Sequence, residues 1–204
     1  MINRNYKLGI TGCSGAGTST ACGYFEKKHI PVISADVLAR RCAEKGHPAF
    51  KKLKKQFPDS IRKDGTIDRR LLGKEIFSRP KEIDIINGII HPYVLNDIKE
   101  FMRDNLDKEL MVIDMPLLFE VRFERYLDAV LVITCPKSIR LKRLHKRDGL
   151  SYRDILNRFR HQMNPYIKAK KATWTVSNKG SREEFIKLLD IFYHKELREY
   201  LEVA

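Results

Sequence analysis

The 204-residue chain alternates between two patterns of apolar and polar positions. In one pattern, short continuous apolar runs are rich in β-branched residues, which is typical of parallel strands covered on both faces. In the other, apolar residues recur at helical spacing. The runs that we predict as strands are residues 6–11, 30–34, 109–114, 128–134 and, more weakly, 174–177. Because strands and helices alternate, the pattern predicts an α/β fold with a parallel five-stranded sheet flanked by helices.

The helical spacing predicts separate helices and one larger helical insertion. The helices are expected at residues 37–44, 48–56, 69–77, 80–105, 137–146, 151–162 and 181–201. The stretch between the second and third strands is too long for a single crossover connection. We therefore expect residues 36–108 to form a helical subdomain within a single domain of residues 1–204.

The last two predicted helices carry signals for their starts and for their buried faces. Ser151-x-x-Asp154 and Ser181-x-x-Glu184 have the spacing of a capping box. An apolar stripe on the final helix predicts ordinary core packing. The stripe consists of Phe185, Leu188, Leu189 and Phe192.

A glycine-rich stretch, GCSGAGTS at residues 12–19, lies between the first predicted strand and a helical pattern at residues 20–28. Glycines there let the backbone wrap a phosphate chain and turn N–H groups inward, while the helix offers its positive N-terminus. Ser19 stands where the hydroxyl ligand of Mg²⁺ belongs. The residues expected to bind nucleotide are Gly12, Cys13, Ser14, Gly15, Ala16, Gly17, Thr18, Ser19 and Thr20. A plain strand-to-helix turn is the alternative.

Thr18 stands where the phosphate-loop pattern has a lysine. The loop therefore lacks a mobile positive charge for the β- and γ-phosphates of a nucleotide. A charge-assisted contact of that kind is worth roughly 1.5–3 kcal/mol, or about ten- to a hundredfold in rate. We expect its loss to slow a phosphoryl transfer rather than abolish it.

The net charge indicates the class of binding partner, and the cysteines indicate the cellular compartment. Forty Lys and Arg against 26 Asp and Glu give a formal charge of +14, so the natural partners are anions. The basic clusters at residues 51–55, 140–147 and 168–171 are equally typical of solvated helix faces. We expect no specific nucleic-acid binding, because no aromatic residues interleave these clusters. Four widely spaced cysteines, no signal peptide and no membrane-spanning run predict a cytoplasmic protein.

Seven motifs follow one another from about Leu8 to Leu189 in an order and spacing known from one family. They are GITGCSGAGTST, IPVISADVLAR, DGTIDRRLLGKEIF, IIHPYV, VIDMPLLFE, LKRLHKRDGLS and TVSNKG. In this order they resemble bacterial dephospho-coenzyme A kinases. The resemblance implies a phosphate-loop NTPase fold like that of nucleoside-monophosphate kinases, with a helical substrate subdomain and a lid. It also implies Mg²⁺-dependent transfer of the γ-phosphate of ATP to the 3′-hydroxyl of the ribose in dephospho-CoA.

The resemblance also assigns the chemistry to two aspartates. Asp36 matches the acidic residue that acts on the acceptor hydroxyl, and an attacking alcohol does need a carboxylate to accept its proton. A helix N-cap before Val37 is the alternative use of Asp36. Asp114 ends the third predicted strand and matches a residue of the Mg²⁺ shell, although a strand-end aspartate also serves to cap a loop.

The positions that the resemblance places near the acceptor are Thr11, Arg40, His91, Pro116, Leu117, Leu118 and Glu120. For His91, a hydrogen-bonded structural role before Pro92 is an equal alternative. Arg143 and Arg147 fall on a lid at about residues 140–170, where arginines clamp the transferring phosphoryl group. Asn178 and Gly180 match the loop on the adenine side.

Three sites depart from the family pattern: Thr18, Ser34 in place of an acidic residue, and Thr173 with Trp174 in place of an acidic stretch. Phosphoribulokinases are similar in having threonine after the last glycine of the loop. We expect a lid cation to replace the missing charge, with Arg143, Arg147, Lys168, Lys170 and Lys171 as the candidates.

The alternative is a degenerate kinase that binds nucleotide or CoA without efficient turnover. We expect a monomer or a weak homo-oligomer.

Overall fold

The structure is a computed structural model that describes residues 5–203, except for the side chains at positions 77, 78 and 80. Two compact units divide the chain. The first is formed by Met1–Ile33 and Asp104–Ala204, and the second by Ser34–Arg103. Residues 1–4 and 204 of the predicted domain lie outside the described part.

A parallel five-stranded sheet forms the centre of the first unit, as predicted. Its strands are β1 (Tyr6–Gly12), β2 (Val32–Ser34), β3 (Leu110–Asp114), β4 (Ala129–Thr134) and β5 (Trp174–Ser177), in the order β2-β3-β1-β4-β5. β1 pairs in parallel with both β3 and β4, and β4 pairs in parallel with β5. The carboxyl ends of β1, β3 and β4 therefore meet at one edge of the sheet, which is where ligands bind in open parallel sheets.

Helices flank the sheet and make up most of the second unit. They are α1 (Thr18–Lys27), α2 (Ala35–Arg41), α3 (Pro48–Gln56), α4 (Arg69–Ser78), α5 (Pro80–Asp104), α6 (Lys137–Asp148), α7 (Tyr152–Arg160), α8 (Pro165–Lys171), α9 (Arg182–Ile191) and α10 (Arg198–Val203). Short 3₁₀ turns lie at Pro58–Ser60 and Phe123–Tyr126. Among the described residues, no helix is both long enough and apolar enough to cross a membrane.

Two features of the helices differ from the sequence prediction. The predicted helix at 181–201 is interrupted by a π-helical turn, Phe192–Leu197, between α9 and α10. Helix α8 was not predicted, because it is short and its residues stand out by charge rather than by apolar spacing. Its start nevertheless has a clear chemical cause: the Asn164 side chain accepts a hydrogen bond from the N–H of Tyr166, and Pro165 occupies the first turn.

The predicted capping boxes form completely in one helix and partly in the other. Ser181 Oγ accepts from Glu184 N at 3.1 Å, and Glu184 Oε2 accepts from Ser181 N at 2.7 Å, which closes the box at α9. At α7, Ser151 Oγ accepts from the N–H of Asp154 and donates to Asp154 Oδ2. The shorter aspartate thus binds the hydroxyl of the cap residue.

The apolar stripe on α9 is narrower than predicted. Phe185, Leu189 and Phe192 are buried in the core of the first unit, whereas Leu188 is 43% exposed. Residues 185, 189 and 192 follow the spacing i, i+4, i+7, so they share one line along the helix. Leu188 lies beside that line, and its inclusion in the core was wrong.

The second unit has a small core of its own. Its fully or nearly buried residues are Leu53, Phe57, Ile67, Leu72 and Ile76. Asp68 caps α4 by accepting from the N–H groups of Arg70 and Leu71. These contacts stabilise the helical segment that carries α2, α3, α4 and most of α5.

We expect Leu189→Ala to destabilise the protein far more than Leu188→Ala. Leu189 is fully buried, so truncation removes buried apolar surface and leaves a cavity, at a cost of about 2–5 kcal/mol. Leu188→Ala removes an exposed side chain of the same size one residue away, and we expect less than about 1 kcal/mol. Urea denaturation of both variants measures the difference. Equal losses of unfolding free energy in the two variants would contradict an apolar stripe that includes Leu189 but not Leu188.

Candidate functional site

The glycine loop joins β1 to α1 at the carboxyl edge of the sheet, as predicted. Gly15 and Gly17 have φ angles of +80° and +105°, a region that favours glycine. A Cβ at Gly15 would lie 3.2 Å from the carbonyl oxygen of Arg140, and one at Gly12 would lie 2.8 Å from that of Ile133. Gly15 is thus required both by its backbone conformation and by the approach of Arg140, whereas Gly12 is required by the close approach of Ile133.

The N–H groups of the loop are available as donors. No side chain caps α1, whose N-cap residue is Gly17. The backbone N–H groups of Gly15, Gly17, Thr18 and Ser19 make no hydrogen bond to another residue in the range 5–203. Unsatisfied N–H groups at a helix start form an anion site. The loop can therefore hold a phosphate chain without a lysine side chain.

The Asn178–Gly180 turn packs against this loop, and Arg143 holds it there. Asn178 Nδ2 donates to the carbonyl of Ala16 at 2.7 Å. Arg143 Nη2 donates to Asn178 Oδ1 at 3.1 Å and to the carbonyl of Gly180 at 3.2 Å. This geometry brings together three of the predicted residues. The Arg143 guanidinium is bound to this turn, and its predicted role on the transferred phosphoryl group stays a prediction.

Arg147 is at the end of α6, where its guanidinium binds Asp148. Its Nε and Nη2 atoms donate to the two carboxylate oxygens at 2.7 and 3.0 Å, and the side chain is mostly exposed. Arg158 also approaches Asp148, with its Nη1 atom 3.6 Å from Oδ2. The predicted phosphoryl-clamping role of Arg147 stays a prediction.

Asp114 lies next to helix α1, which carries Ser19. Asp114 is buried at the end of β3 and lies opposite Ile10 of β1 in the sheet register. The pKa of the Cys22 thiol is raised, chiefly by burial and next by the negative charge of the Asp114 carboxylate. The thiol is also hydrogen-bonded to that carboxylate. Ser19 lies one helical turn before Cys22, on the same face of α1. Asp114 therefore approaches the face of the helix on which Ser19 lies.

A carboxylate, a serine hydroxyl, phosphate oxygens and water are ligands that suit Mg²⁺. In residues 5–203 no group of three or more His, Cys, Asp or Glu side chains is placed to hold a metal ion. The metal role predicted for Ser19 and Asp114 stays a prediction.

The segment after β3 is tied to the loop strand through a shared carbonyl group. Thr11 Oγ1 donates to the carbonyl of Pro116 at 3.3 Å, and Lys168 Nζ donates to the same oxygen at 2.5 Å. Lys168 is fully buried and pairs with Glu120 Oε1 at 3.0 Å. Glu120 Oε1 also accepts from the N–H of Met163. The structure thus brings Thr11, Pro116 and Glu120 together and adds Lys168 to them.

Leu118 does not line a pocket, contrary to the prediction. It is fully buried, and its Cδ1 atom would lie 2.8 Å from a Cβ placed on Gly9. Leu118 therefore packs against the central strand. Pro116 and Leu117 are partly exposed and remain candidates for contact with an acceptor.

Two residues beside the loop were missed by the sequence analysis. Gln162 Oε1 accepts from the N–H of Ser14 at 2.9 Å, and no sequence signal marks this contact. Arg140 Nη1 donates to the carbonyl of Ser14 at 3.4 Å, while its Nε atom donates to the carbonyl of Cys135. Arg140 is in the first turn of α6, which follows β4, the neighbour of the loop strand. The sheet order therefore places this turn near the loop but does not indicate which of its cations is buried.

The remaining predicted residues belong to the second unit. Helix α2 begins at Ala35 and its N-cap residue is Ser34, so Asp36 is within the first turn and the alternative of an N-cap role is wrong. Asp36 and Arg40 are exposed and lie one turn apart. His91 is half-buried, which lowers the pKa of its imidazole. The role near the acceptor and the structural role both stay predictions for His91.

Known proteins match this chain over nearly its whole length. A family model described as Dephospho-CoA kinase matches residues 6–184. The dephospho-CoA kinase of Thermosynechococcus vestitus is 35% identical over 191 residues, which cover 93% of this chain and 94% of that protein.

Two solved structures match in three dimensions as well. A crystal structure from Thermus thermophilus matches with a TM-score of 0.78 and 32% identity, covering 98% of this chain and 99% of that one. The dephospho-CoA kinase from Campylobacter jejuni matches with a TM-score of 0.66 and 27% identity, covering 97% of this chain and 98% of that one. The sheet order, the glycine loop and these matches have one common explanation: the chain belongs to the dephospho-CoA kinase family.

Proposed function

We propose that this chain transfers the γ-phosphate of ATP to the 3′-hydroxyl of the ribose in dephospho-CoA, with Mg²⁺ as the metal. The observation that carries the proposal is the uncapped glycine loop at the carboxyl edge of the sheet, in a chain of this family. Its N–H groups suit a nucleotide phosphate chain. Family membership selects the acceptor.

The nucleotide side of the site is assigned to the first unit. The N–H groups of Gly15, Gly17, Thr18 and Ser19 bind the phosphate oxygens, and the α1 N-terminus adds its positive end. Asn178 and Gly180, held by Arg143, form the edge next to the phosphate loop. When bound, Mg²⁺ neutralises charge that develops on the phosphates. Ser19 and Asp114 are the residues that would hold it.

The residues that we propose for the acceptor are Asp36, Arg40, His91, Pro116 and Leu117. Asp36 accepts the proton of the attacking hydroxyl, because its carboxylate is exposed and the reaction needs such a base. Arg40 lies one turn further along α2 and offers a cation to the acceptor. Since burial lowers the pKa of His91, a neutral imidazole is available there as a hydrogen-bond partner. Pro116 and Leu117 offer partly exposed apolar surface.

The alternative of a degenerate kinase is weaker. A protein that only binds nucleotide needs neither a base nor a metal ligand, and this chain has Asp36, Ser19 and Asp114. We also infer a cytoplasmic protein, since all four cysteines are free thiols. A monomer or weak homo-oligomer and the absence of specific nucleic-acid binding stay predictions.

We expect Asp36→Asn to lower the turnover number by about 10²–10⁴-fold, because it removes the general base. Its dissociation constant for ATP should stay near that of the unmodified protein. The assay incubates each protein with Mg-ATP and dephospho-CoA and quantifies CoA by chromatography. Asp84→Asn, an exposed carboxylate on α5, is the matched control. Full activity in Asp36→Asn would refute the assignment of the base, and no CoA from the unmodified protein would refute the proposed function.

We expect Asp114→Asn to raise the Mg²⁺ concentration needed for half-maximal activity by about tenfold or more. The amide keeps the shape of the side chain but lacks the charge that Mg²⁺ prefers. Activity is measured over a magnesium titration, with melting temperature as a control for folding. Asp107→Asn, on an exposed turn, is the matched variant. An unchanged magnesium dependence would argue that Asp114 only supports the loop.

A further inference from the structure

Arg140 carries a buried positive charge beside the phosphate loop. Arg140 is only 4% exposed. Its Nε atom donates to the carbonyl of Cys135 at 3.2 Å, and its Nη1 atom donates to the carbonyl of Ser14 at 3.4 Å. Within residues 5–203, no carboxylate lies within 4.0 Å of its guanidinium. A buried cation without a counter-ion is unfavourable in the free protein, so a ligand with negative charge is the natural partner.

The surroundings of Arg140 direct that charge toward the loop. The ring of Phe159 covers the guanidinium at 4.2 Å and shields it from water. A small cavity lies beside Arg140, and the loop residues Cys13 and Ala16 line it together with Lys168. Gly15 lets α6 approach this closely, because a Cβ there would meet the backbone of Arg140. Shielding from water strengthens the attraction between this guanidinium and a phosphate in the loop.

The cations that the sequence analysis considered are occupied in other ways. Lys168 is paired with Glu120, which offsets its charge. Arg143 binds the Asn178–Gly180 turn. Arg147 binds Asp148 at the far end of α6.

The two remaining lysines of that set lie near other side chains of the first unit. The Nζ atom of Lys170 lies over the ring of Tyr166 at 4.7 Å. Lys171 is close to Glu124, at 4.0 Å. Among these six cations in residues 5–203, Arg140 combines burial, contact with the loop and the lack of a carboxylate partner.

We propose that Arg140 supplies to the β- or γ-phosphate of the nucleotide the positive charge that Thr18 does not provide. A guanidinium offers several donors in a fixed plane and matches phosphate oxygens well. The proposal rests on the proposed function only in that the ligand of the loop is a nucleotide. It differs from the expectation that Arg143, Arg147, Lys168, Lys170 or Lys171 replaces the lysine.

The test measures dissociation constants for ATP, ADP and AMP by calorimetry, without dephospho-CoA, so that nucleotide binding is separated from turnover. Arg140→Gln should weaken ATP binding by about ten- to a hundredfold, the value of a charge-assisted hydrogen bond. AMP binding should change by less than about threefold. Lys142→Gln, which removes one exposed charge from the same helix, is the matched control. Equal losses for ATP and AMP, or a loss no larger than in the control, would overturn the proposal.

Two further variants separate a charge effect from a structural one. Thr18→Lys in the Arg140→Gln background should restore most of the lost ATP affinity, because it places a cation at the pattern position. Failure to restore any would count against Arg140 as the replacement cation. Should Arg140→Gln not fold, Arg140→Met offers an apolar side chain that packs against Phe159, and the same ATP-to-AMP difference is expected of it. If unmodified protein binds no ATP, the proposed function itself is refuted, and the role of Arg140 falls with it.

Discussion

The close packing of the glycine loop between two neighbours is the constraint on which the rest of this site depends. Helix α6 approaches Gly15 on one side, and Asn178 approaches Gly17 on the other. Neither approach leaves room for a side chain, and both glycines have φ angles that other residues adopt only with strain. The loop is thereby held with the N–H groups of Gly15, Gly17, Thr18 and Ser19 available for a ligand. Preorganised donors of this kind cost little reorganisation when charge develops on a phosphate.

The same packing determines where positive charge is found. A lysine within the loop would reach the phosphates by its own flexible chain, whereas Thr18 cannot. The approach of α6 instead brings the buried guanidinium of Arg140 onto the loop, under the ring of Phe159. A fixed, shielded cation loses less conformational entropy on binding than a mobile exposed one. The loop and the start of α6 therefore act as one electrostatic unit.

Much of this architecture follows from sequence alone because it is local. The apolar runs predicted all five strands, and Ser181 with Glu184 predicted the cap of α9, since both signals lie within a few residues. The exposure of Leu188 was missed because it depends on which neighbours cover the helix. Arg140 was missed because, in a strongly basic segment, only contacts with residues far away in sequence distinguish a buried cation from a solvated one. Gln162 was missed for the same reason, since its partner is Ser14.

The most direct test of the central claim, that the loop and Arg140 together hold the nucleotide, is a crystal structure with Mg²⁺ and a non-hydrolysable ATP analogue. The account predicts the β- and γ-phosphates against the N–H groups of Gly15, Gly17, Thr18 and Ser19. It also predicts the Arg140 guanidinium within about 2.7–3.2 Å of a phosphate oxygen. A triphosphate bound away from this loop would contradict the account. So would an Arg140 side chain that keeps only its carbonyl partners while the loop is occupied.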